Sequence, residues 1–346
     1  MKKSFLLLLL LSVVVSLGFM LNQNRIKVLV ESVHELDSLS VVSVEHQFGE
    51  PLPNHYMGKY DADLAEIGAQ LIHEGKASYG DKNGKLISSY FKCTDCHNLV
   101  KETAKLTNLD PQDRLDYLVE NGLPFTAGST FFGIYNRSTY YNDDYYKKYG
   151  SLVNAAKDTL ANAIQLCAEY CASGRKLVDW ELNAILHYFK KHELRLRDLN
   201  LSDNQKEIIL KALQEDKNQA EALEIIKGKY VHRYGATFTG AKIEKERGYG
   251  ENGDIKNGEK IYKAACMYCH ENARVTYLDL NDDVLSGKFL WKHRKGYDDL
   301  SIYQVVRWGT YPIAGRKQYM PLFPKEKMSD KQLEDLMAYI KKLAKK

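Results

Sequence analysis

Two short stretches of this 346-residue chain combine residue types and spacing that dictate one kind of chemistry. Cys93-Thr94-Asp95-Cys96-His97 and Cys266-Met267-Tyr268-Cys269-His270 both read Cys-x-x-Cys-His. Two thiols one helical turn apart can each add to a vinyl group of a haem, while the adjoining histidine is directed at the iron as its proximal ligand. At the cysteine and histidine frequencies of this chain, one chance match has a probability of roughly 0.003, so two matches are not a compositional accident. The pattern predicts two covalently bound haem c groups, on Cys93 and Cys96 and on Cys266 and Cys269, with His97 and His270 on the irons. A redox dithiol would need a βαβ context that the sequence lacks, and a zinc ribbon would need all four thiols for one metal.

Helices must hold these motifs in place, and the sequence supplies them twice. Ala62 to His73 has Leu64, Ile67 and Leu71 on one face and stops at Gly75. After the first motif, Val178, Leu182, Ile185, Leu186 and Phe189 share a helical face and close the first unit near His192. The second half repeats the plan in shorter form. A helix begins near Asn257 with Ile261 and Tyr262, the motif follows at Cys266, and Ser329 with Gln332 forms a capping box for a last helix striped by Leu333, Leu336, Met337, Ile340 and Leu343. Between the halves, Leu201 to Ile226 is rich in Lys, Glu, Gln and Ala behind a candidate N-cap at Ser202, and reads as one or two linker helices. Glycines from Gly235 to Gly258 then mark a flexible run.

The expected architecture is all-α, with an N-terminal segment at 1–25, an extended lead-in at 26–54 broken by Gly49, Pro51 and Pro53, a first domain at 55–195, a helical linker at 196–250 and a second domain at 251–346. Lys2 and Lys3 precede an unbroken apolar run from Phe5 through Val15 and on to Leu21, the layout of a secretory signal. Ser16-Leu17-Gly18-Phe19-Met20 has no clean small-x-small cleavage site, which leaves signal peptide and uncleaved membrane anchor both open. Either outcome exports the chain to the periplasm or its membrane face. With 44% hydrophobic and 27% charged residues the chain is globular, and a net charge of +4 gives no case for nucleic-acid binding. Partners are expected among electron-donor or acceptor redox proteins.

From Asn257 to Lys346 the sequence resembles the class I cytochromes c, on the second motif and the capped last helix. That resemblance implies a methionine as second axial ligand, from the loop before the last helix. Gln318-Tyr319-Met320-Pro321-Leu322 occupies that place, and Met320 is preferred over Met328, which lies at the start of the closing helix. A thioether on iron favours the reduced state, which suits an electron-exit haem. No methionine occurs between Cys96 and Met267, so the first haem needs a different sixth ligand. The residues leave His187, His192, His73, Met57, Cys167 and Cys171 as candidates.

The stretch from Phe132 to Phe189 resembles the catalytic-haem domain of thiosulfate dehydrogenases and, more distantly, the haem subunit of the Sox sulfur-oxidising system. The resemblance is carried by Gly133-Ile134-Tyr135-Asn136-Arg137, Gly150, Cys167, Gly174 and Leu177. It implies that Cys167 is the distal thiolate of the first haem. It further implies that thiosulfate couples to tetrathionate there, with the electrons leaving through the second haem. Thiolate ligation lowers an iron's potential and leaves a nucleophilic sulfur when the bond loosens. Arg137, Arg175, Lys147 and Lys148 are the candidate charge partners of the small sulfur oxyanion. The family's second arginine is missing, because Ser138-Thr139-Tyr140-Tyr141-Asn142-Asp143-Asp144 follows Arg137. A disulfide between Cys167 and Cys171, four residues apart, is the alternative in an oxidising compartment. A non-catalytic respiratory electron carrier is the alternative function. A dihaem peroxidase fits less well, since a cysteine would occupy the peroxide site.

Overall fold

The structure is a computed structural model that describes residues 30–238, 248–294, 301–310 and 320–345. The segment expected to be a signal or anchor lies outside them, as do Gln318, Tyr319 and part of the glycine run. Among the described residues the chain is mainly α-helical, its one sheet being an antiparallel hairpin that pairs Ser78–Tyr79 with Lys82–Asn83. No helix among them is long and apolar enough to cross a membrane.

The chain divides into two compact units, Met1–Leu52 with Arg195–Lys229 and Pro53–Leu194 with Tyr230–Lys346. In the first unit the stretch expected to be extended carries two short helices, Val33–Leu36 and Val41–Gln47. Ser32 and Ser40 start them by accepting the N–H of Glu35 and of Ser43. Burial overrides the strand preference of the valines: Leu36, Val41 and Val44 have no solvent exposure. Helices Asp203–Glu215 and Gln219–Lys227 belong to the same unit and bury Ile209, Ala212, Ala222 and Ile226. Ser202 caps the first of them, as its sequence position suggested. Lys206 pairs with Asp37 at 2.7 Å and Lys227 with Glu50 at 2.7 Å.

The second unit contains both Cys-x-x-Cys-His motifs and is built on one helix crossing used twice. Helix Ala62–Glu74 crosses helix Asp179–Lys191, and helix Ile255–Ile261 crosses helix Asp330–Leu343. At each crossing the N-terminal helix offers a glycine to a backbone carbonyl. A Cβ on Gly68 would lie 2.1 Å from the Ala184 oxygen, and one on Gly258 would lie 1.9 Å from the Asp335 oxygen. In both, the next obstacle along the partner helix is a tyrosine one turn on, Tyr188 or Tyr339. Gly68-x-x-Leu71-Ile72 and Gly258-x-x-Ile261-Tyr262 are therefore the same structural word, with all four apolar residues at 1% exposure or less.

Capping fixes where these helices begin and end. Asp61 accepts the N–H groups of Asp63 and Leu64, and Gly75 closes the same helix at a φ of 77°. The capping box of Ser329 and Gln332 is present, and the predicted stripe of Leu333, Leu336, Met337, Ile340 and Leu343 is buried. Val178 departs from expectation. The Glu181 carboxylate accepts its backbone N–H at 3.0 Å, which makes Val178 the N-cap and leaves it 50% exposed instead of on the apolar face.

A single apolar cluster draws on both halves of this unit, joining Leu115, Leu118 and Phe125 to Ile261, Tyr262 and the closing helix. Polar contacts run alongside. The Phe125 N–H donates to the Ala264 carbonyl at 2.9 Å, and Arg114 donates to the Lys327 carbonyl at 3.2 Å. Since no atom can be added at the crossings without moving backbone, Gly258→Val is expected to lower the unfolding free energy by about 3 kcal/mol. Gly58→Ala, at a position with nothing within 4 Å, should leave it unchanged. Urea titration of both variants against the parent checks this.

Candidate functional site

The first motif is a tight turn. Residues Cys93–Asp95 form a single 3-10 turn whose start is locked by Asp95, which accepts the Lys92 N–H at 2.8 Å. The His97 N–H returns to the Cys93 carbonyl at 3.1 Å, so both thiols and the imidazole issue from one loop. Its ring is held from two sides. Nδ1 donates to the Ser129 carbonyl at 2.6 Å, and the ring stacks on Phe131 with centroids 4.3 Å apart. A carbonyl partner fixes the proton on Nδ1, leaving the Nε2 lone pair for a metal. Burial pulls the imidazole down to about 4, with the Ser129 hydrogen bond opposing, so the ring is neutral at ordinary pH. Gly128 is the complement of this ring, since a Cβ there would sit 2.4 Å from His97 Cε1.

Cys93, Cys96 and His97 line a cavity of about 190 Å³. Two more sulfurs line the same cavity. Helix Leu160–Leu166 opens into a π-helical turn over Cys167–Cys171, and both cysteines face the cavity. Gly174 explains how this turn is seated: its Cα lies so near the Ile87 carbonyl that a Cβ would approach within 2.2 Å. The Arg175 N–H donates to the same carbonyl at 2.9 Å. The turn is thus anchored just upstream of the motif it faces. Cys167 and Cys171 are not joined by a disulfide.

The two distal sulfurs differ. Cys171 is pulled down to about 7, first by a hydrogen bond from the Cys167 thiol and further by the Tyr149 and Tyr141 hydroxyls and the charge of Lys148, with desolvation opposing. The Tyr149 hydroxyl is 3.1 Å from its sulfur. Cys167 moves the other way, well above its usual value, because its thiol is the donor of that bond and is buried. The sequence marked Cys167 as the thiolate. The local hydrogen bonding makes Cys171 the easier of the two to ionise.

The other residues expected at this site are scattered. Arg137 lines the cavity. Arg175 does not. Its guanidinium makes a fork to Glu181 at 2.6 and 2.7 Å and donates to the carbonyls of Lys85 and Leu86, so it clamps these elements together away from the cavity lining. Lys147 is exposed and paired with Asp144, and buried Lys148 donates to the Trp308 carbonyl. His187 accepts the Asp61 N–H at 3.1 Å, His73 and His192 pack on Tyr188, and Met57 bonds Tyr135 through its backbone. None of these four lines the cavity. Lys327, which the sequence did not single out, does.

At the second motif a π turn, Tyr262–Cys266, runs into helix Met267–His270. His270 repeats the arrangement of His97: its Nδ1 donates to the Leu278 carbonyl at 2.9 Å, and burial lowers its affinity for a second proton. Met320 is half-buried beside the cluster that also receives Cys266, and its N–H donates to the Thr310 hydroxyl at 2.8 Å. Met328 is 1% exposed within that cluster, with its carbonyl taken by Arg307 at 2.5 Å. The residues of both motifs fit a c-type haem: paired thiols, and a neutral imidazole with Nδ1 already committed.

The motifs also touch each other. The Tyr268 hydroxyl donates to the Thr94 carbonyl at 3.0 Å, and Arg274 pairs with Asp95 at 3.4 Å while lying over the Tyr268 ring. Gly128→Ala is expected to displace the His97 ring, and if a haem is held at Cys93 and Cys96 with His97 on its iron, that ligation would weaken. A high-spin component absent from the parent should then appear in the visible spectrum of the oxidised protein.

Residues 253–340 match the family model for subunit III of cbb3-type cytochrome c oxidase. The chain is 33% identical over 88 residues to cytochrome c6 of Limnospira maxima, an overlap of 25% of this chain and 91% of that protein. It is 29% identical over 87 residues to cytochrome c6 of Bumilleriopsis filiformis, covering 25% of this chain and 88% of that one. No solved structure matches significantly. With the Cys266–His270 motif and the capped closing helix inside the matched span, the chain belongs to the cytochrome c family, as a haem-based electron-transfer cytochrome.

Proposed function

We propose that the chain carries two covalently bound haem c groups and moves electrons between them and outside redox proteins. Residues 55–195 form a cytochrome c-like domain for the first and 251–346 for the second, with 196–250 between them. Segment 1–25, as signal peptide or anchor, places the protein in the periplasm or at its membrane face. The repeated glycine crossing and the repeated Nδ1-to-carbonyl bond support two equivalent haem sites.

The first site is read as His97/Cys167 and the second as His270/Met320. The observation that carries this reading is the pair of cysteines facing the cavity that Cys93, Cys96 and His97 line. A thiolate-ligated iron has a low potential and a thioether-ligated one a higher potential, so electrons run from the first site to the second. On this reading the cavity oxidises a sulfur oxyanion, two thiosulfate ions joining to tetrathionate with release of two electrons, one for each haem. Cys167 supplies the sulfur at which the anion reacts, Cys171 holds it by hydrogen bonding, and the contact of Tyr268 with Thr94 keeps the two motifs adjacent. The same reaction run backwards reduces tetrathionate.

A non-catalytic electron carrier is the second reading, and Arg175 favours it. With that guanidinium spent on Glu181 the cavity has fewer cations for an oxyanion than the resemblance implies. Low-temperature EPR of the oxidised protein beside Cys167→Ala and Cys171→Ala, with thiosulfate-dependent reduction followed in each, separates the two. The expected result is a thiolate-type low-spin signal that disappears in Cys167→Ala together with the activity. Loss of the signal in Cys171→Ala alone would move the ligand to that residue. An unchanged signal in both variants, with no reduction by thiosulfate, would leave a plain electron carrier.

A further inference from the structure

The wall of the first cavity holds more positive charge than the protein neutralises. Arg114, Arg137 and Lys327 are 4%, 6% and 6% exposed, and Glu102, the carboxylate packed among them, is 6% exposed. Arg114 takes up that carboxylate in a fork, 2.9 Å from each nitrogen, and spends its other hydrogens on the Thr126 and Lys327 carbonyls. Lys327 reaches the same carboxylate only at 3.7 Å. Among the described residues no carboxylate comes within ion-pair distance of Arg137, which donates to the Thr130 carbonyl and lies 4.3 Å from the Tyr234 ring centroid. Glu326, next to Lys327 in the chain, turns its carboxylate away to the N–H and hydroxyl of Thr237. Lys327 therefore shares with Arg114 the single carboxylate of Glu102, so three buried basic groups have one acidic partner, two carboxylates short of balance.

Buried charges are costly unless paired, and cations kept at a cavity wall await an anion that enters the cavity. Arg137 and Lys327 both line the cavity of Cys93, Cys96 and His97, and their charges act on the His97 ring. Tyr234 lies beside both, with Lys327 Nζ 5.2 Å from the ring centroid, so the two cations pack on one aromatic residue. A haem brings two carboxylates, the number that is missing. We propose that Arg137 and Lys327 are the counter-charges of the two propionates of the haem attached at Cys93 and Cys96. Arg137 is then a cofactor-holding residue and not a substrate contact. Lys327 comes from the turn just before the closing helix of the other half, as do Pro321, Leu322 and Pro324, which line the same cavity. The loop that carries Met320 thereby completes the electrostatics of the opposite site.

This inference rests on the two-haem reading, so intact-mass measurement of the purified holoprotein comes first: one haem per chain defeats that reading, two haems let the test proceed. Spectroelectrochemical titration is then made on Arg137→Gln and Lys327→Gln. Each should strand one propionate charge, favour the ferric form and lower the reduction constant of the first haem about tenfold, equal to about 59 mV for one electron. The second haem serves as internal control and should not move. Arg137→Lys and Lys327→Arg, which keep the charge, should restore the parent potential. Unchanged potentials in both neutral variants, or equal shifts of both haems, would overturn the assignment. Unchanged potentials combined with weakened thiosulfate binding would return the two cations to the substrate. If a neutral variant does not fold, the parent protein decides by NMR. The side-chain signals of Arg137 and Lys327 must move between the reduced and oxidised states, and their standing still would sink the proposal.

Discussion

The second unit depends on the approach of a glycine in one helix to a backbone carbonyl of the helix that closes the same half. Gly68 against Ala184 and Gly258 against Asp335 bring the helix axes closer than any side chain would permit. That approach lets Leu71, Ile72, Ile261 and Tyr262 be wholly buried. The motifs hang from these crossings by tethers of different length. Gly258 is eight residues before Cys266, so the second motif continues directly from its helix through a π turn. Gly68 is twenty-five residues before Cys93, with the Gly75 stop and a two-stranded hairpin between. The first motif is accordingly an isolated 3-10 turn and the second a helical one, although each histidine ends with Nδ1 on a carbonyl.

Because the first motif is not carried by its own helix, its surroundings have to hold it. Asp95 does this twice, accepting the Lys92 N–H and pairing with Arg274 of the second motif. Asn98 gives its amide to Glu102, the Pro124 carbonyl and Thr126, which ties the residue after His97 into the buried ion pair with Arg114. Arg114 in turn reaches the Lys327 carbonyl. The chain of contacts is continuous from the motif histidine of one half to the turn before the last helix of the other. Replacing either partner of the buried Glu102–Arg114 pair would leave an uncompensated charge in that chain, which is the expensive way to break it.

What the sequence made legible was local. Cys-x-x-Cys-His needs only five consecutive residues, and capping boxes need four, so Ser329 with Gln332 and the motif histidines were readable without a partner. The glycine crossing was also written in the chain, as Gly-x-x-Leu-Ile and Gly-x-x-Ile-Tyr, but its meaning lies in a carbonyl more than seventy residues away. Val-rich residues 33–47 read as extended because strand propensity is intrinsic and burial is not. Arg175 looked like an anion ligand because a charge near a reactive cysteine is indistinguishable, in one dimension, from a charge that clamps a helix start. Lys327 went unnoticed for the converse reason: nothing near it in sequence is unusual, and its role comes from Glu102, Arg137 and Tyr234, all distant in the chain.

The sulfur pair shows how the fold refines what a motif can only suggest. In an α-helix residues four apart already share a face, and the wider π turn, closed by the Ala172 N–H on the Cys167 carbonyl at 2.8 Å, keeps both sulfurs toward the cavity. Two adjacent thiols can share a proton in only one direction at a time, so one sulfur must donate and the other accept. The Tyr149 and Tyr141 hydroxyls and the Lys148 charge gather around Cys171, which favours the anion on Cys171 and the proton on Cys167. A thiolate at Cys167 would first have to give up its proton from that bond. An iron at the proposed first site would supply the incentive, since a coordinated thiol is deprotonated outright. Under the proposed Cys167 ligation, Cys171 would have to return to the thiol form or turn its sulfur elsewhere. On that reading the two cysteines would act as one unit with a single thiolate to place, and the tyrosine cage would set how strongly a metal must compete for it.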